Sequence, residues 1–237
     1  MRLIKAGILL SLMVVSTAQA LPFLYNWSSG SLAASANFAV VSGNLQVTLT
    51  NTSAFDVLAP NQVLTAVFFD ITGNPALSRI SAVLGGGSTV FFGPNGGGNV
   101  GGEWAFKYDA GFPSLYGLGR YGISSAGFNI FGTPNLFGGP NLQGPVAPNG
   151  LDYGILSAGD NTANGNAAVT GGFALIKNSA VFTLGGIPGS FDPSTRISGI
   201  EFIYGTDIPE VPEPATLLLL ASGLAGAAGY SKFRRKK

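Results

Sequence analysis

The stretch VLTAVFFDI, residues 63–71, is rich in β-branched and aromatic side chains and predicts a buried β-strand. Turn-forming residues bound it on both sides, with Pro60-Asn61 before it and Gly73-Asn74-Pro75 after it. Because the run is short and framed by turns, a strand is favoured over a buried helix of similar hydrophobicity.

A second pattern precedes it in NLQVTLT, residues 44–50, where Leu45, Val47 and Leu49 alternate with polar residues. This period of two is typical of a half-buried strand, and Ser42-Gly43-Asn44 predicts a turn into it. Further strands are predicted at residues 88–92, 102–107, 153–157, 172–176, 180–184 and 197–204. Short strands between Gly, Pro and Asn turns predict a mainly β protein, a single antiparallel β-sandwich of jelly-roll-like type with long Gly-rich loops.

Most of the 36 glycines lie between residues 85 and 172, in segments that predict loops. These loops also carry Phe131, Leu136, Phe137 and Leu142, so we expect them to fold over a sheet edge or face. YGISSAG at 121–127 and YGILSAG at 153–159 predict two similar strand-turn elements.

The first 20 residues have the three parts of a secretory signal peptide. Arg2 and Lys5 are basic, residues 6–15 are apolar, and Ala18-Gln19-Ala20 forms a small-residue cleavage site for signal peptidase, with Ala18 and Ala20 at the recognition positions. The mature chain is therefore predicted to begin at Leu21, and residues 21–207 to form the exported domain.

Charge and composition exclude several classes of function. Between residues 21 and 210 there are five basic and ten acidic residues, a net charge of −5, which argues against nucleic acid as a partner. The chain has no Cys and no His, which excludes Cys/His zinc sites and the Ser-His-Asp and Cys-His nucleophile systems. We predict a non-enzymatic protein without cofactor, resident metal or catalytic residue.

Some residues nevertheless suggest chemistry. For a carboxylate-based glycosidase, the spacing of the acids singles out no pair. Glu103 beside Trp104 is the most suggestive, although a strand edge with aromatic packing is favoured. Another hypothesis is a sugar-stacking platform, for which a core role is the favoured alternative. The candidate acids are Glu103, Asp109, Asp152 and Glu201, and the candidate aromatics are Trp27, Trp104, Tyr116 and Tyr121.

Two glycine patterns and one acidic loop resemble ligand motifs. Gly96-Gly98-Gly101 and Gly117-Gly119-Gly122 match GxGxxG, but no helix is predicted to follow either, as dinucleotide binding requires. Residues 160–165, DNTANG, resemble the start of a calcium loop, whose twelfth position is Gly171 rather than Glu. An Asn/Gly-rich turn is the alternative for this loop.

The C-terminal residues 208–237 form a separate unit. Pro212, Glu213 and Pro214 lie in the motif VPEP at 211–214, residues 215–231 predict a transmembrane helix, and residues 232–237 a basic tail. The basic side chains favour the cytoplasmic side, which places the main domain outside. They are Lys232, Arg234, Arg235, Lys236 and Lys237.

This order of motif, apolar run and basic end resembles the PEP-CTERM sorting signal of exported proteins in Gram-negative bacteria. The resemblance implies two processing partners, signal peptidase and exosortase, a membrane-embedded cysteine-type transpeptidase. It also implies a transient inner-membrane precursor that is cut near 212–214 and then sorted to the cell surface, outer envelope or extracellular matrix. The domain before the tail, with NVGGEWAFK, the two YGI elements and AGDN, looks like a β-rich class often found ahead of such tails. The low charge, the polar Asn, Ser and Thr turns and the Gly-rich loops suit a structural, biofilm-associated protein; the alternative is a module that binds exopolysaccharide.

Overall fold

A computed structural model of the chain describes residues 20–131, 136–139, 150–164 and 172–208, and the isolated positions 222 and 224. Two short helices occur in these residues, α1 (Phe112–Tyr116) and α2 (Pro193–Arg196), with 3-10 turns at Pro60–Gln62 and Gly96–Gly98. The strands are β1 (Phe23–Ser29), β2 (Leu32–Val41), β3 (Asn44–Asn51), β4 (Leu64–Ile71), β5 (Ser78–Leu84), β6 (Thr89–Phe91), β7 (Ala105–Tyr108), β8 (Tyr121–Ser124), β9 (Gly154–Leu156), β10 (Leu175–Lys177), β11 (Ser179–Gly185) and β12 (Ile197–Tyr204).

The first sheet has the order β1-β2-β3-β11-β5, and every neighbouring pair is antiparallel. A two-residue turn joins β2 to β3, with Ser42 and Gly43 both at positive φ (50° and 77°), which confirms the predicted turn. In β3 the apolar residues are buried and the intervening polar residues are partly exposed, as the alternation predicts.

The second sheet has the order β6-β10-β9-β4-β8-β7, and β12 also pairs with β4. β12 pairs with one edge of β4 from Leu64 to Ile71. Two strands share the other edge of β4, since β9 pairs with Leu64 and β8 with residues 66–69. The predicted strand at 63–71 is thus confirmed as β4 and lies inside the sheet, with all its residues buried except Asp70.

One pair departs from the predicted antiparallel arrangement, since β9 and β10 are parallel. Parallel neighbours need a connection of about a dozen residues or more, and the chain between Leu156 and Leu175 is long enough to supply it. The two-sheet β fold is confirmed, whereas the jelly-roll-like arrangement stays a prediction.

The main core lies between the sheets. Phe38 of the first sheet meets Phe69 of β4 edge-on, with ring centroids 5.2 Å apart. A second apolar cluster covers the other face of β4, where Phe68 packs against Phe112 and Phe131 at 5.7 and 5.9 Å. The expectation that loop residues cover a sheet face is therefore confirmed for Phe131. Leu142 lies outside the described residues.

Four aromatic residues, Tyr25, Trp27, Phe202 and Tyr204, form a seam between β1 and β12. Ring centroids lie 6.1 Å apart for Tyr25 and Phe202 and 6.0 Å apart for Trp27 and Tyr204. All four are partly buried. The aromatic seam therefore joins an edge strand of the first sheet to the last strand of the second.

The two YGI elements each supply a strand that pairs with β4. In each, the tyrosine hydroxyl donates to a proline carbonyl at 2.7 Å, from Tyr121 to Pro75 and from Tyr153 to Pro94. The isoleucine two residues later is fully buried in the main core in both copies. The prediction of two similar strand-turn elements is confirmed.

The predicted signal segment, apart from Ala20, and the tail from residue 209 onward, apart from positions 222 and 224, lie outside the described residues. Within the described part of the chain, no helix is both long enough and apolar enough to span a membrane.

We predict that Gly119→Ala destabilises the fold, because the added Cβ would lie 2.6 Å from Cα of Phe69, in the backbone of β4. Overpacking of this kind costs about 1–3 kcal/mol in the free energy of unfolding. Urea denaturation provides the measurement. Gly86→Ala is the matched control, since its Cβ would meet nothing within 4 Å. Equal stability of the two variants would contradict the close approach of the chain at Gly119 to β4.

Candidate functional site

The candidate acids have separate roles in the structure. Asp109 forms an ion pair with Lys107 at 3.5 Å. Asp152 accepts a hydrogen bond from the backbone N–H of Ala174 at 3.0 Å, and burial raises the pKa of its carboxyl. Glu103 is only 4% exposed. Asp109 and Asp152 therefore stabilise local structure. The carboxylate of Glu103 has little exposed surface that a substrate could reach.

Tyr153 lies close to two of the candidate acids, Glu103 and Asp152. Burial raises its pKa to about 12, and the charges of Glu103 and Asp152 contribute in the same direction. The hydroxyl of Tyr153 already donates a hydrogen bond to the carbonyl of Pro94. We therefore assign Tyr153 a structural role in the second YGI element.

Glu201, on β12, is a partly buried acid. Burial raises the pKa of its carboxyl; the backbone N–H of Gly119 opposes this by donating to the carboxylate, and nearby Asp70 adds to the rise. Asp70 itself pairs with Arg120 at 2.8 Å. Among the described residues Oε2 of Glu201 has no hydrogen-bond partner. The negative charge of Glu201 therefore lowers the stability of the folded state.

The candidate aromatics do not form an exposed platform. Trp104 and Tyr121 have no solvent-exposed surface, and Trp104 packs against Phe182 with ring centroids 4.8 Å apart. A ring without exposed surface cannot stack on a sugar, so the structure places both residues in the core instead. Trp27 belongs to the aromatic seam, and Tyr116 of α1 is partly exposed beside Phe112.

The two GxGxxG matches have structural causes other than phosphate binding. Gly96, Gly97 and Gly98 form a tight turn with φ values of 56°, 68° and 91°. In the second match Gly119 lies against the backbone of β4 and Gly122 lies within β8. Because neither match opens a helix, neither provides the helix N-terminus that a pyrophosphate needs.

The loop that begins at Asp160 is a hydrogen-bonded turn joined to residues 55–57. Oδ1 of Asp160 accepts from the N–H of Val57 at 2.7 Å, and its backbone carbonyl accepts from Nζ of Lys177 at 2.6 Å. Asp56 accepts from the backbone of Asn161, which is the main reason that the pKa of its carboxyl is lowered. Protein donors thus bond several of the oxygens on which a calcium site here would depend.

The link between Asp56 and this loop was not predicted from the sequence, since the two lie 105 residues apart. A metal site is not built around it: the described ranges contain no group of three or more acidic, His or Cys side chains arranged to hold a metal ion. Gly165 and Gly171, the sixth and twelfth positions of the predicted calcium loop, lie outside those ranges.

The last strand leads directly to the predicted sorting unit. Beyond Tyr204, the N–H of Gly205 donates to the carbonyl of Val63 at 2.8 Å, and Ile208 packs at the margin of the second apolar cluster. The domain therefore holds the chain up to Ile208. The motif residues Pro212, Glu213 and Pro214 and the basic residues 232–237 lie outside the described residues.

We predict that Glu201→Gln raises the melting temperature at pH 7. The folded-state pKa lies above its ordinary value of 4.5, so this carboxyl costs stability once pH rises from 4.5 through the raised value. The gain should fall toward zero well below pH 4.5, where the carboxyl is protonated in both the folded and the unfolded state. Thermal melts across this range test it, with Asp207→Asn as an exposed control for the lost charge; a gain that does not shrink on acidification would contradict the assignment.

Comparison with known proteins places one family motif in the chain. Residues 210–236 match the family model described as the PEP-CTERM protein-sorting motif. Neither the curated proteins nor the solved structures gave a match. The matched segment includes Pro212-Glu213-Pro214, the apolar run and most of the basic end. The chain therefore carries a PEP-CTERM sorting motif, which points to an exported protein that is sorted by exosortase.

Proposed function

We propose that this protein is a structural, non-catalytic component of the cell surface or extracellular matrix of a Gram-negative bacterium, associated with biofilm. The match of residues 210–236 to the PEP-CTERM motif is the observation that carries the proposal. The precursor is cut after Ala20 by signal peptidase and is held in the inner membrane through residues 215–231. Exosortase then removes the tail near Pro212-Glu213-Pro214.

The boundaries of the fold support this order of processing. β1 begins at Phe23, so a cut after Ala20 removes no residue of a described strand. β12 ends at Tyr204, eight residues before Pro212. The contacts of the domain extend to Ile208, and since an extended chain covers about 3.3 Å per residue, the motif at Pro212 can lie up to about 13 Å beyond that residue. This reach lets a membrane-embedded enzyme engage the motif while the domain stays folded.

A structural role is supported by how the candidate catalytic groups are used. Glu103 is buried, Asp152 accepts a hydrogen bond from the backbone of Ala174, and Asp109 has an ion-pair partner. General acid–base catalysis needs a carboxyl within hydrogen-bond reach of a substrate. These acids instead contribute to packing, turns and a surface ion pair.

The alternative function is binding of exopolysaccharide through loop aromatics. Because Trp104 and Tyr121 lie in the core, this alternative function depends on Tyr116. Tyr116 is partly exposed and lies beside the exposed Leu115. Its expected ligand contact is stacking of one sugar ring on the tyrosine face.

Replacement of Pro212-Glu213-Pro214 by three alanines is expected to leave the tail on the protein, because the enzyme loses its recognition segment. Intact-mass spectrometry of protein from cells that contain exosortase is the measurement. The unaltered protein should begin at Leu21 and lack the apolar run and basic end.

Pro209→Ala is the matched control, since it removes a proline just outside the motif and should be processed normally. An unaltered protein that keeps residues 215–237 in such cells would overturn the sorting proposal.

A further inference from the structure

Three rows of uncharged side chains run across the strands on the side of the first sheet that is directed away from the main core. Registered strand pairing defines the rows, because paired residues lie on the same face. One row is Leu24, Asn37, Thr48, Val181 and Val83. The next is Ala39, Gln46, Thr183 and Ser81. A third is Asn26, Ser35, Thr50 and Ser179. We call these three rows the outer face.

The neighbouring residues along each strand point the other way. Phe38, Val47 and Phe182, which alternate with the outer-face residues, are fully buried between the sheets. The outer-face residues are partly or fully exposed except Ser35 and Ser179, with Leu24 at 56% and Val83 at 38%. The outer face is therefore solvent-accessible across all five strands.

Charge is missing from these rows, although surfaces of small domains commonly have about a quarter to a third charged residues. None of the outer-face residues is Asp, Glu, Lys or Arg, and most carry a hydroxyl or amide. Hydroxyl and amide groups both donate and accept hydrogen bonds. Neighbouring strands lie about 4.8 Å apart, and successive rows about 7 Å. The face thus presents regularly spaced neutral hydrogen-bonding groups.

We propose that the outer face binds a neutral polysaccharide, with the side chains of Asn37, Gln46, Thr48 and Thr183 bonded to sugar hydroxyls. The proposal rests on the proposed function, since only an exported protein meets such a polymer outside the cell. A neutral polyhydroxyl chain complements this face, because it supplies the same mixture of donors and acceptors and requires no counter-charge.

Other occupants fit the face less well. An acidic polymer or anionic lipid surface is bound through Lys and Arg, which these rows lack, and the exported domain is itself acidic. Binding hot spots between proteins are enriched in Trp, Tyr and Arg, and none occurs in the rows. These observations favour the neutral polysaccharide.

The test is affinity electrophoresis of the protein isolated from producing cells, in gels that contain dextran, hydroxyethylcellulose or galactomannan. At least one neutral polymer should retard the protein, whereas alginate, which is acidic, should not. Thr48→Val with Thr183→Val removes two hydroxyls and keeps side-chain shape, so it should weaken binding by about tenfold or more. Thr48→Arg with Thr183→Arg should abolish it, because a charge is desolvated against the polymer.

Thr72→Arg with Ser190→Arg is the control, since it adds the same charge at exposed positions outside the rows and should bind normally. Circular dichroism establishes that each variant is folded. Absence of retardation by all three neutral polymers, stronger retardation by alginate, or normal binding by both Thr48/Thr183 variants would overturn the proposal. So would concentration-dependent dimers lost in those variants, which would make the face a self-association surface.

Because binding is measured on isolated protein, its result is independent of tail removal. Failure of sorting with intact polymer binding would remove the proposed function and leave the binding surface. Normal sorting without polymer binding would leave the proposed function and remove the binding surface.

Discussion

The fold depends on β4, which is paired along both edges and covered on both faces. β12 occupies one edge, and β8 and β9 share the other. Phe69 points into the core between the sheets, while the adjacent Phe68 points into the second cluster. Since successive side chains of a strand lie on opposite faces, this strand needs apolar residues at consecutive positions, and VLTAVFFDI provides them.

This constraint explains the glycine-rich neighbourhood. Strands packed closely beside β4 leave no room for a Cβ at Gly119, which lies against its backbone, or at Gly122, which lies against the ring of Phe68. Two glycines of the second GxGxxG match, Gly119 and Gly122, are thus required by packing. The same packing buries Trp104 and Tyr121, which is why aromatic residues that suggested ligand binding contribute to stability instead.

Local patterns predicted much of this architecture. The strand at 197–204 has the predicted bounds, and the alternation in 44–50 correctly identified its buried face. β1 and β5 were missed, because apolar alternation is weak at the edges of a sheet. β2 was missed as well, since its inward positions include the small Ala34 and Ala36. The parallel pairing of β9 and β10, the link between Asp56 and Asn161 and the neutral outer face depend on contacts between distant segments, which no local period encodes. The sorting motif is contiguous, so sequence alone was sufficient to predict it.

In this account the folded domain does not depend on the sorting tail, because among the described residues β12 is held by β4 and by the aromatic seam. Hydrogen-exchange mass spectrometry of the precursor and of the processed protein tests this most directly. The account predicts equal amide protection in β4 and β12 in the two forms. Loss of protection in β12 on removal of the tail would contradict it, since the tail would then be part of the fold.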